Sequence, residues 1–355
     1  MISVLIVEDS PSVRELMVHI LSADPAIRVV GTASDGEAAL EAVERLKPDI
    51  ITMDVHMPRM NGLDAARRIM ETRPTPIVVV SGSFEPQEVT KTFRALEAGA
   101  LALVQRPAGV GHPEFQQHSA ELIRTVKLMS EVKVIRRWAR VTRIPVAPAD
   151  PPALEVELKP SPVEVKVIAI GASTGGPLAL QAILADLPAD FPAPILVVQH
   201  IAPGFLRGFA DWLGRATTLP VGIPAHGERM VSGRVYLAPD GLQMQIGTTG
   251  KILLTADEPE NNLRPSVSCL FRSVAAAYGP QAIGVLLTGM GKDGAEQLRV
   301  MKEKGAITIA QDEDTSVVYG MPGEAVRLGA ATYVLPPSRI AAALTALAQK
   351  REVAQ

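Results

Sequence analysis

Short apolar runs alternate along most of the chain with longer stretches in which apolar residues recur every three or four positions. ISVLIV, IRVVGT, DIITM, PIVVV and ALALV are strand-sized, and the intervening 12–23, 35–46, 61–72 and 87–98 carry helical spacing. That alternation predicts parallel strands joined by crossover helices, a (βα)5 unit. A further helical pattern over 114–140 places Phe115, Leu122, Val126 and Met129 in phase. VTRIPVAPADPPALEVELKPSPVEV follows, and its prolines sustain neither a helix nor a central strand, so it reads as a connector. From about 165 the alternation resumes with KVIAIG, PILVVQ, QAIGVLL, AITIA and TYVLP, interrupted by hairpin-like runs around 233–255. The expected architecture is α/β throughout: a first domain over 1–120, a helical and proline-rich linker over 121–160, and a larger domain with a mostly parallel sheet over 161–355.

Composition narrows the function classes. The length of 355 residues suits two domains. A net charge of -3 lacks the basic excess of a nucleic-acid binder, so no nucleic-acid partner is expected. The single cysteine, Cys269, forms no internal disulfide, and MISVLIVEDS carries two carboxylates where a signal peptide needs basic residues. A cytoplasmic protein is expected. No apolar run approaches the ~18 residues of a membrane-spanning helix, so direct membrane insertion is not expected either.

Parallel sheets gather functional groups at the carboxyl ends of their strands. Glu8 and Asp9 end the first strand and Asp54 the third, so three carboxylates converge. Such a cluster is costly without a cation, and its oxygen donors, with the backbone carbonyl of His56, suit Mg²⁺. Ser81 ends the fourth strand and Arg106 follows the fifth, placing a hydroxyl and a cation where they stabilise a transferring phosphoryl group. VEDSPSVR, TMDVHMPRMNG, VVVSGS and ALALVQRP together resemble a two-component receiver domain. The resemblance implies that Asp54 is the phosphoacceptor, that Glu8 and Asp9 hold Mg²⁺, and that Ser81 senses the phosphoryl group. Arg106 stands where receivers have lysine, and Leu103 where an aromatic residue is usual.

In the second domain KVIAIGASTGGP runs from a strand through a G-x-S-x-G turn into a helix, the arrangement that exposes Ser173 as a nucleophile. The same glycines suit a phosphate-cradling turn or a plain helix cap. A dinucleotide site wants an acidic residue at the end of the next strand, but PILVVQH ends in His200. Adjacent parallel strands lie ~4.8 Å apart, so Ser173 and His200 are expected at neighbouring ends as nucleophile and base. His226, in the loop PAHGER, has no comparable position. IGVLLTGMGKDGAEQ supplies Asp293 just after a strand, either to orient the imidazole or to cap a helix. Backbone N–H groups of Met290 and Thr174 are the candidate oxyanion donors. The order Ser, His, Asp differs from that of the α/β-hydrolase fold, which implies a different scaffold.

GASTGGP, QHIAPGF, VYLAP, RPSVSCLFRSVA, LLTGMGKDGA and VYGMPGEA resemble the catalytic domain of the CheB family, the chemotaxis protein-glutamate methylesterases. The resemblance implies a Ser173–His200–Asp293 triad that needs no cofactor. It also implies hydrolysis of glutamate γ-methyl esters on methyl-accepting chemoreceptors, deamidation of receptor glutamines, and activation by a chemotaxis histidine kinase as phosphodonor. Gln243 and Ser268 stand where histidine and aspartate are usual, and both are expected to line the substrate groove. A nucleotide-binding regulator and a non-catalytic scaffold are the competing readings of the residues.

Overall fold

The computed structural model describes residues 1–82, 86–132, 134 and 163–348, and the chain divides into two compact units, Met1–Glu157 and Leu158–Gln355. In the first unit β1 (Ile2–Val7), α1 (Pro11–Ser22), β2 (Ile27–Ala33), α2 (Gly36–Leu46) and β3 (Ile50–Met53) lead to α3 (Gly62–Thr72). Then come β4 (Ile77–Ser81), α4 (Pro86–Glu97), β5 (Ala102–Gln105) and α5 (Phe115–Met129). The strands form one parallel sheet in the order β2-β1-β3-β4-β5. Helix starts follow local chemistry: the Asp35 carboxylate accepts the N–H groups of Glu37 and Ala38 at 2.9 and 3.0 Å, a cap contributing about 0.5–2 kcal/mol.

The helical stretch expected to open the linker belongs instead to this unit. Helix α5 packs on β4, β5 and α1, buries His118, Leu122, Val126 and Met129, and places Lys127 Nζ 3.0 Å from Asp24 at the end of α1. Its apolar stripe has to be covered, and the sheet covers it. The proline-rich segment lies outside the described residues.

The second unit runs β6 (Val167–Ala172), α6 (Gly176–Ala185), β7 (Ile195–Gln199), α7 (Leu206–Gly214), β8 (Val221–Gly222), β9 (Val235–Leu237), β10 (Gln243–Ile246) and β11 (Ile252–Thr255). It continues with α8 (Val267–Tyr278), β12 (Ala282–Leu286), α9 (Ala295–Glu303), β13 (Ile307–Gln311), α10 (Met321–Arg327), β14 (Tyr333–Leu335) and α11 (Pro337–Ala348). Seven strands form a parallel sheet in the order β14-β13-β12-β6-β7-β9-β8. Of the runs around 233–255, β10 and β11 pair as an antiparallel hairpin, whereas VYL near 235 joins the large sheet beside β7. Continuous apolar runs such as VIAIGA are buried along their whole length, as expected when helices cover both faces. Phe271 and Leu270 of α8 and Leu298 of α9 pack with Val167 and Ala169 of β6 in one core. Burying each such large side chain contributes about 1.5–3 kcal/mol. The chain goes from β6 toward β9 on one side and returns through β12 on the other, which opens a crevice at the carboxyl ends of the central strands.

Candidate active site and carboxylate cluster

Ser173 is the first residue beyond β6, and its N–H donates to Thr288 O at 3.1 Å, just beyond β12. The chain then turns into α6, with Gly176 N donating to Ser173 O at 2.8 Å and Gly175 at φ +81°, a left-handed conformation that costs other residues roughly 1–2 kcal/mol. Ala172 lies opposite Gln199 in the β6–β7 ladder, so Ser173 and His200 emerge side by side. His200 N donates to Ala172 O at 2.9 Å. On the other flank Leu286 of β12 lies opposite Gly171, and the loop after β12 carries Asp293. Three adjacent strand ends therefore bring Ser173, His200 and Asp293 together.

His200 Nε2 stands 3.1 Å from Asp293 Oδ2. With Nε2 engaged by the carboxylate, Nδ1 is the other ring nitrogen. Asp293 does cap a helix, but not the one it precedes. Its carboxylate lies at the start of α8, where it accepts Val267 N at 2.7 Å, Ser268 N at 3.1 Å, Ser266 Oγ at 2.9 Å and Ser268 Oγ at 2.5 Å. Burial alone would raise this carboxyl, yet the bond and charge of His200, the Ser268 hydroxyl and the Val267 N–H outweigh it and hold Asp293 at about 2. A fixed negative charge at a helix N-terminus is a stable place for the acid of a triad.

The loop after β12 packs against the turn that carries the serine. Thr288 Oγ1 donates to Thr174 O at 3.0 Å, and Gly289 O accepts Met321 N at 2.9 Å. A Cβ on Gly289 would stand 2.6 Å from Ser173 Cβ, so only glycine fits there. His226 engages the main chain of Leu254 in the β10–β11 hairpin region, away from these strand ends.

In the first unit Glu8, Asp9 and Asp54 present ligand oxygens all within 4.8 Å of one another. Glu8 and Asp54 are buried. Desolvation, and then the Asp54 charge, push Glu8 up to about 7, and desolvation likewise raises Asp54. A hard divalent cation relieves this repulsion, so the donor set fits Mg²⁺. Arg14 Nη1 binds Glu8 O at 2.7 Å and Ser10 N binds Glu8 Oε1 at 3.1 Å, fixing the loop that carries the carboxylates. Arg106 N donates to Ser81 O at 2.8 Å, and its guanidinium lies over Gly82, where a Cβ would collide with it. The His56 side chain pairs with Glu88 of α4.

Comparison with known proteins identifies the family of each unit. Residues 4–112 match the response regulator receiver domain, and residues 168–344 match the CheB methylesterase family. A protein-glutamate methylesterase/protein-glutamine glutaminase of Nitrosospira multiformis is 55% identical over 99% of this chain and 98% of its own length. The chain belongs to the CheB methylesterase family. A second such protein, from Syntrophus aciditrophicus, is 58% identical over 98% of this chain and 99% of its own. The crystal structure of the Thermotoga maritima CheB methylesterase catalytic domain, 40% identical, covers 52% of this chain and 98% of its own with a TM-score of 0.50.

Within this CheB family member, the two unusual positions are not groove residues. Gln243 and Ser268 are buried: Gln243 Oε1 accepts Ser266 N at 2.9 Å, and Ser268 Oγ joins Gly294 N, at 2.9 Å, to Asp293. Both hold the acid's surroundings. Reading the sequence did not anticipate Ser266 or Val267 as partners of Asp293. The signal was the hydroxyl and the helix start in RPSVS, but the acid they serve lies 25–27 residues downstream. Among the described residues no helix is long and apolar enough to cross a membrane.

Proposed function

We propose that the second unit hydrolyses γ-methyl esters of glutamyl side chains on methyl-accepting chemoreceptors, and glutaminyl amides on the same helices, and that phosphorylation of Asp54 raises this activity. The observation that carries the reading is the part-buried Asp293–His200 pair at the strand end next to Ser173, with 3.1 Å between Nε2 and Oδ2. Its close relatives bear both activities in their names.

In this reading His200 Nδ1 takes the Ser173 hydroxyl proton as Oγ attacks the γ-carbonyl carbon. The oxyanion is held by the N–H groups of Met290 and Thr174. Collapse breaks the C–O bond, and His200 returns the proton to the departing methoxide as methanol. Water then attacks the acyl-serine, gives a proton to His200, and leaves a glutamate carboxylate with Ser173 reprotonated. An amide follows the same path and releases ammonia. No step calls for a cofactor.

In the first unit Glu8, Asp9, Asp54 and the main-chain carbonyl of His56 would hold Mg²⁺, which supplies the positive charge that phosphoryl transfer onto Asp54 requires. Ser81 and Arg106 receive the phosphoryl oxygens, and a chemotaxis histidine kinase of the cytoplasm is the phosphodonor. The test is methanol release from a methyl-esterified glutamyl peptide by the full chain. Release is expected from the native protein and not from Ser173→Ala; its absence from the native protein, or equal release by the variant, would falsify the proposal.

A further inference from the structure

We infer that Gln199 is a positioning residue for the reaction, its side-chain amide strapping the nucleophile's strand end to that of the base. The inference rests on the hydrolase reading of Ser173 and His200.

Gln199 is the last residue of β7 and is buried. Its Nε2 donates to Ser173 O and to His200 O, both at 2.8 Å. One amide group thus binds the carbonyls of both residues. At this point the main chain adds the bond from His200 N to Ala172 O. Ser173 O is held doubly, since it also accepts Gly176 N at 2.8 Å.

The other half of the amide shows that packing is not the reason for glutamine here. Among the described residues Oε1 is buried without a hydrogen-bond partner, and it lies against Gly176, where a Cβ would collide with it. Exchanging the two amide atoms would set an oxygen against two carbonyl oxygens, so the orientation is fixed by chemistry. A buried acceptor with no donor opposes folding, and methionine would fill the same volume without that penalty. What methionine lacks is the pair of N–H donors. The function of Gln199 is therefore to set the relative placement of Ser173 and His200, on which proton transfer between their side chains depends; an error of about 1 Å costs on the order of 10²-fold.

The test compares Gln199→Met and Gln199→Glu with the native chain. Gln199→Met should lose about 10- to 100-fold in kcat with KM within about twofold, because substrate binding does not involve the strap. Phosphonylation of Ser173 by a fluorophosphonate, which needs no peptide substrate, should slow by a similar factor. Gln199→Glu keeps the shape. Its ionised form repels both carbonyls while its protonated form donates one bond, so its rate relative to native should rise as pH falls. Gln199→Met with native circular dichroism and with kcat and labelling within about threefold of native overturns the inference. Should that variant fail to fold, a pH-independent ratio for Gln199→Glu overturns it equally. Native protein that labels with the fluorophosphonate but leaves the methyl ester intact defeats the substrate assignment alone, and the labelling ratios still decide the role of Gln199.

Discussion

His200 Nε2 and Asp293 Oδ2 lie 3.1 Å apart although 93 residues separate them in the chain. The contact decides the tautomer: neutral His200 should carry its proton on Nε2 and leave Nδ1 to accept from Ser173. Nitrogen-15 shifts of the imidazole report this directly, and a dominant Nδ1–H form would contradict the proposed base. Asp293→Asn keeps the shape but removes the charge that fixes the tautomer. It should cost roughly 10³- to 10⁴-fold in kcat with the fold intact.

Gly289 offers a test that removes no polar group. An added Cβ would stand 2.5 Å from Met321 Sδ, which can give way, and 2.6 Å from Ser173 Cβ and 3.1 Å from Ser173 N, which are anchored to the backbone. Gly289→Ala should therefore displace the nucleophile by several tenths of an ångström and reduce kcat by about 10²-fold. Unchanged kcat in a folded Gly289→Ala protein would show that the serine turn yields freely.

The strand ends were legible in the sequence because parallel strands read as unbroken apolar runs and their terminal residues are easily identified. Glu8, Asp54, Ser173 and His200 each follow such a run. What was not legible depends on contacts between distant segments. Helix α5 has the same periodicity whether it opens a linker or covers β5, and only its packing on the sheet and its Lys127–Asp24 pair assign it. VYL near 235 looks like one arm of a hairpin until its pairing with β7 is seen. Ser268 departs from the family pattern, which points to the substrate groove. Its hydroxyl in fact lies 2.5 Å from the acid.

The donors around Asp293 make a prediction about pH. Its carboxyl lies at about 2 when folded, below the ordinary 3.8. A lowered pKa means that its stabilising contribution is complete above pH 3.8 and is lost as pH falls toward 2. The span corresponds to roughly 2 kcal/mol. Urea midpoints of native and Asp293→Asn protein should therefore diverge less at pH 2.5 than at pH 5. Ser268→Ala removes one charged hydrogen bond and should narrow the window; identical acid profiles for native and Ser268→Ala would deny the hydroxyl its role.

Phosphorylation is the last point to test. Asp54 is buried beside Glu8 and Asp9, with the Arg106 guanidinium over Gly82 at the next strand end. A phosphoryl group adds nearly two negative charges to a cluster already short of cations, so labelling of Asp54 by a small acyl phosphate should require Mg²⁺. Asp54→Asn should take no label. For a tenfold rise in esterase rate, phosphorylation needs to favour the active state by only ~1.4 kcal/mol. Full-length protein should show such a rise with phosphodonor and Mg²⁺, and Asp54→Asn should not. Arg106→Lys exchanges a broad, planar cation for a compact one and should alter the lifetime of the label. The second unit alone, Leu158–Gln355, should hydrolyse ester without responding to phosphodonor. Stoichiometric label on Asp54 with an unchanged esterase rate would separate the receiver from control of Ser173, and an equal response by Asp54→Asn would place the phosphoacceptor elsewhere.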